Sequence, residues 1–120
     1  MTDAAVPDVI VDFVFEKGSF FIVLSNIGAA PATDVSVVFD VTFKGVGGTK
    51  IISSMPLFQL TPFVPPGKEI GTFLDTSYSY FTGNQPRKIK ATVSFFDRSG
   101  KKYSNVCRHD LGIYLDVGYI

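Results

Sequence analysis

The chain has 120 residues, 46% of them hydrophobic, with 11 basic and 11 acidic side chains and zero formal net charge. That is the length of one domain with enough apolar content for a two-layer core, which excludes a disordered chain. The neutral balance excludes whole-domain attraction to nucleic acid or anionic membrane, and no apolar run approaches the ~18 residues needed to span a bilayer.

Residues 1–7 read as a flexible lead-in. Strict two-residue alternation then begins: Val9, Val11, Phe13 and Phe15 share one face and Ile10, Asp12, Val14 and Glu16 the other, the period of a strand. Gly18 supplies a tight turn. "FFIVLSN" is the return strand, with Phe20, Ile22 and Leu24 on one side, so the two form a hairpin. "SNIGAAPATDV" is a structural corner. There Asn26 can fold its amide onto nearby backbone groups, Gly28 can take positive φ, and Pro31 stiffens the crossing. On that reading Asn26→Ala costs on the order of 1–3 kcal/mol. From Asp34, the residues Val35, Val37, Phe39, Val41 and Phe43 point one way and Asp34, Ser36, Asp40 and Thr42 the other; Val38 is the one apolar residue on the wet side.

"KGVGGTK" ends that strand with three glycines, and "IISS" reads as a short edge strand. Four prolines (Pro56, Pro62, Pro65, Pro66) argue against a central strand in the next segment. "EIGTFLDT" resumes extended structure, with Ile70, Thr72 and Leu74 on one face, and "SYSYFTGNQP" reads as a loop or bulge. In "RKIKATVSFFD", Ile89, Ala91, Val93 and Phe95 point inward and Lys88, Lys90, Thr92 and Ser94 outward. "DRSGK" is a hairpin turn before a last strand bent near Gly112, and residues 111–120 form a C-terminal extension. No segment has a 3.6-residue period. Seven or eight strands with Gly/Pro-rich turns define one all-β domain, an immunoglobulin-like antiparallel β-sandwich.

Asn26, Gly28, Ala32, Val35 and Val37, followed by Pro66 and Gly67, form a pattern that resembles the bacterial and archaeal immunoglobulin-like modules typified by the CARDB domain. "FFDRSGKKYSN" is similar to that family's late hairpin. The resemblance covers roughly residues 9 to 108 and departs at residues 45 to 65 and at the C terminus. It implies a sandwich used as a spacer, adhesion or docking module, without catalytic residues.

Chemistry-bearing residues are sparse. Cys107 and His109 are the sole cysteine and histidine. Two apart on a strand, they share a face but stand ~6–7 Å apart, too far for a nucleophile and its base, and a zinc site needs three or four ligands. The nine Asp and two Glu form no calcium-type loop, and no phosphate-cradling glycine motif precedes a helix. The expectation is no enzyme activity, no cofactor and no metal. Seven of the 11 basic residues lie between Arg87 and Arg108, either as solvated strand faces or as a weak contact surface for anionic groups.

Interaction is the remaining class. Tyr78, Tyr80 and Phe81 form an aromatic loop suited to stacking, and Phe58 and Phe63 form a second candidate patch if exposed. The leading expectation is a protein-interaction or accessory module, with an unidentified protein partner and self-association through an edge strand as a further mode. The alternative is a module for carbohydrate or surface polymer using the Tyr78–Phe81 aromatic loop, which an exposed planar arrangement of Tyr78, Tyr80 and Phe81 would favour. The compartment is cytoplasmic if Met1 is the native start and extracellular if the domain comes from a longer secreted chain.

Overall fold

The computed structural model describes residues 5–115. Two hairpin strands come first, β1 (Val9–Glu16) and β2 (Ser19–Asn26), then β3 (Ala32–Phe39) and a short ladder of β4 (Lys44–Gly45) and β5 (Lys50–Ile51). A 3₁₀ turn (Ile52–Ser54) and a helical turn, α1 (Pro56–Gln59), lead into β6 (Thr61–Val64). β7 (Glu69–Thr76), the short helix α2 (Ser77–Thr82), β8 (Lys88–Phe96) and β9 (Lys102–Asp110) follow, and a 3₁₀ turn (Leu111–Tyr114) ends the described chain.

The long strands form two antiparallel sheets, ordered β1-β2-β7 and β6-β3-β8-β9. The protein is an all-β sandwich. Its inner faces are those the alternation assigns: Val9, Val11, Phe13, Phe20, Ile22 and Leu24 from one sheet meet Val35, Val37, Ile89, Ala91, Val93 and Phe95 from the other. Each fully buried Phe or aliphatic side chain contributes roughly 1.5–3 kcal/mol of transfer free energy. Lys17 and Gly18 take φ of 50° and 79°, the left-handed pair that lets a two-residue turn follow the twist of its strands.

Four expectations change. β3 starts at Ala32 and stops at Phe39, before Phe43. Asp34 sits at a register irregularity with φ 49°, so its outward position belongs to a bulge. "IISS" is mostly a 3₁₀ turn. The segment read as a loop at Ser77 is helical: the Thr76 hydroxyl accepts a hydrogen bond from the Ser79 N–H at 3.1 Å, a side-chain cap on the first turn.

Both ends of the chain are tied in where they are described. The Val6 carbonyl accepts from the N–H groups of Ala29 (3.0 Å) and Ala30 (3.3 Å), and Pro7 is buried, so 6 and 7 are not a loose lead-in. Leu111 is buried and the Tyr114 ring stacks on Phe15 at 5.1 Å, so the extension packs back on its own sandwich as far as Tyr114; residues 116–120 lie outside the described residues.

Candidate functional site

The corner is architecture. Asn26 is fully buried, and both ends of its amide are occupied. Oδ1 accepts from the N–H groups of Asp8 (3.2 Å) and Gly28 (3.0 Å), while Nδ2 donates to the carbonyls of Ala30 and Val64, both at 2.9 Å. Its backbone N–H donates to the Lys68 carbonyl and its carbonyl accepts from Gly67. One side chain therefore joins the segment before β1, the β2–β3 crossing and the end of β6. Gly28 does not have positive φ, unlike Gly18 and Gly67. The need for glycine comes from close approach: a Cβ there would lie 2.5 Å from both the Asp8 nitrogen and the Val6 oxygen. Pro31 is half-buried in the same crossing.

The aromatic candidates separate. Tyr78 is 73% exposed, but Tyr80 is fully buried and Phe81 half-buried. Helical geometry explains the split, since α2 turns Tyr80 onto Phe20 (5.8 Å) while Tyr78 faces water. The Tyr80 hydroxyl donates to the Pro86 carbonyl. Burial, with the Asp75 charge second, pushes its pKa well above the usual phenol value. Phe81 meets Phe20 edge-on and carries the Arg87 guanidinium 5.5 Å above its ring. Tyr78, Tyr80 and Phe81 thus form no exposed planar array. Phe58 is fully buried against Phe39, whereas Phe63 on β6 is 47% exposed under Arg98 at 5.9 Å. Phe58 and Tyr80 are core residues, so neither belongs to a contact patch.

Cys107 and His109 are half-buried. His109 is 2.8 Å from the Val11 carbonyl through Nε2 and meets the Phe13 ring edge at 5.0 Å. A carbonyl only accepts, so Nε2 carries the proton. Asp110 accepts from the Gly112 N–H. Among the described residues no three His, Cys, Asp or Glu side chains are placed to hold a metal ion. His109 has a structural partner in the seam between sheets: Asn105 donates to the Val9 carbonyl at 2.8 Å and to Asp8 at 2.7 Å, and the Phe13 N–H donates to Asp12. Three outward-facing backbone groups of edge strand β1, the Val9 and Val11 carbonyls and the Phe13 N–H, are thereby occupied by side chains, which leaves less of that edge to template another strand. The edge of β7 is covered near its end, where Val46 and Gly47 donate to the Leu74 carbonyl and to Asp75.

The outer face of the four-stranded sheet stays open. The register sets out its rows: Ser36–Ser94–Ser104, Val38–Thr92–Val106, and Lys90 directly opposite Arg108. Small side chains, Ser36, Ser94, Ser104 and Thr92, occupy its centre. Val38 is 70% and Val106 50% exposed. Lys88 faces Asp110, a favourable pair, but Lys90 beside Arg108 sets two like charges together, which is destabilising by itself. Asp40 lies across from them, and its Oδ1 accepts the Lys90 backbone N–H at 2.8 Å. These residues line a shallow hollow of about 380 Å³. A second hollow of about 450 Å³ runs beside Val37, Val38 and Phe39 toward Ile51 and Gln59, where β6 has ended and no longer pairs with β3. Val38 carried the legible signal, as the apolar residue on the wrong side of an alternation.

The fold and this surface define an all-β sandwich domain whose four-stranded sheet presents a partly basic, partly apolar outer face. The chain matches, over residues 1–115, a family model described as "Domain of unknown function (DUF8453)", and it belongs to that family. Nothing among curated proteins or solved structures matches it. Among the described residues no helix is long and apolar enough to cross a membrane.

Proposed function

We propose that the chain is a non-catalytic interaction or accessory module, immunoglobulin-like in kind, whose contact surface is the outer face of the four-stranded sheet. The observation that carries this reading is the row Val38–Thr92–Val106, bordered by the like-charged pair Lys90 and Arg108. Exposed apolar side chains rimmed by charged ones are the make-up of a protein-contact surface. The resemblance of the Asn26–Val37 pattern to CARDB-type modules supports the same class of role. The burial of Tyr80 favours this reading over a glycan-binding one, which an exposed planar array with Tyr78 and Phe81 would have favoured.

A photo-crosslinking side chain placed in turn at Val38, Val106 and, as a control, the exposed Ile27 tests the reading in the native host. Covalent adducts from positions 38 and 106, and none from 27, are expected. Equal labelling at all three, or none anywhere, contradicts it.

A further inference from the structure

The two outer faces of the sandwich carry opposite charge. On the three-stranded sheet Asp12, Glu16 and Glu69 are exposed, and β1, β2 and β7 contain no lysine or arginine. Lys17 and Lys68 sit in the turns flanking it. This face also has an apolar row in register, Val14–Phe21–Phe73, with the two rings 5.8 Å apart and Phe73 exposed. On the four-stranded sheet Lys88, Lys90, Lys102 and Arg108 outnumber Asp34, Asp40 and Asp110 by four to three, and Asp40 and Asp110 each already accept a backbone N–H. Its apolar row is Val38–Thr92–Val106.

We propose that the occupant of the cationic face is a second copy of this chain, stacked with its acidic three-stranded face against it. The inference rests on the proposed function, that the outer face of the four-stranded sheet docks protein. In such a stack the carboxylates of one face meet Lys90 and Arg108 of the other, and a strip of Val and Phe meets a strip of Val and Thr. The molecule extends 51 by 27 Å along its two longer axes, room enough for the ~800 Å² per partner of a standard interface. Because the two surfaces differ, the contact is heterologous, and every added copy still offers one free face. Assembly therefore proceeds by open head-to-tail stacking. The charges involved are exposed, so salt weakens it.

Light scattering on the whole chain tests this with two surface variants. K90S/R108S keeps the acidic face, and D12N/E16Q keeps the cationic one. Wild type at about 20 mM salt is expected to gain average mass at least ~2-fold as concentration rises toward ~1 mM, and to lose that gain at about 500 mM salt. Each variant alone is expected to remain monomeric and folded, with K90S/R108S melting no lower than wild type. Mixed, the two are expected to form a one-to-one pair and stop, because each retains one native face. Wild type that stays monomeric at low salt, or that closes into a dimer of fixed mass, overturns the proposal, as does either variant assembling like wild type. If wild type is monomeric while crosslinks from Val38 reach a different protein, the second copy is ruled out and the docking face stands. If no crosslinks form either, both fall.

Discussion

The Asn26 corner and the outer face of the four-stranded sheet are both rich in polar groups, and they use them in opposite ways. At the corner every hydrogen-bonding atom of the side chain has an internal partner: two N–H donors on Oδ1 and two carbonyls on Nδ2. Nothing is left for a ligand. On the outer face Lys90 and Arg108 stand side by side with like charge, next to Val38 and Val106 in water. A polar group closed internally belongs to the architecture; a charge or apolar side chain left open is free to serve a partner.

Substitutions can break that contrast. The largest stability loss is expected for Asn26→Ala, about 3 kcal/mol, because four backbone groups lose a partner in a site where water does not replace it; chemical denaturation measures it, and a loss of a few tenths would remove the corner from the account. Gly28→Ala follows at roughly 2 kcal/mol, the cost of moving backbone away from an added methyl, and a neutral result would show that the Val6–Asp8 segment yields freely. Tyr80→Phe is expected to cost about 1 kcal/mol by leaving the Pro86 carbonyl unpaired, with folding otherwise unchanged by circular dichroism. Smaller again is the effect of Asp97→Asn in the β8–β9 turn. There the carboxylate accepts from Ser99, Lys101 and Tyr103, and the Ser99 hydroxyl bond foremost holds its pKa below the usual value. A depressed folded pKa means stability that is fully present above the unfolded value of ~3.9 and lost as pH falls through the folded one. The wild-type advantage in melting temperature over the variant should therefore shrink in acid below pH ~4; a difference that is constant with pH contradicts this. Val38→Lys is expected to leave stability within about 0.5 kcal/mol, while abolishing crosslinks from the introduced probe at Val106.

Much of this was legible in the chain. Alternation assigned the inner faces of β1 and β8 because the other side of each carries charged residues, so the period shows in residue type, while β2, apolar on both sides at Phe21 and Val23, followed from its hairpin with β1. Asn26 was readable because a buried Asn in a small-residue corner has few uses besides bridging backbone. The helix at Ser77 was not, since six residues are too short to establish a 3.6-residue period; the Thr76 cap was the available signal. That error also misplaced Tyr80, which a loop could have exposed and a helix turns inward. Pro56, a good first residue for a helical turn, likewise marked α1 and with it the burial of Phe58. The seam formed by Asn105 and His109 on β1 joins residues nearly a hundred apart, which no local pattern encodes. The basic run from Arg87 to Arg108 was visible, but the juxtaposition of Lys90 with Arg108 depends on the hairpin register.

What remains to be tested is whether copies of this chain stack through their two outer faces. Sedimentation velocity of wild type across a concentration series, at low and at high salt, tests it most directly. The account predicts a sedimentation coefficient that climbs with concentration at low salt and is flat at high salt. A coefficient that is flat in both, at the value of a single chain, would contradict it.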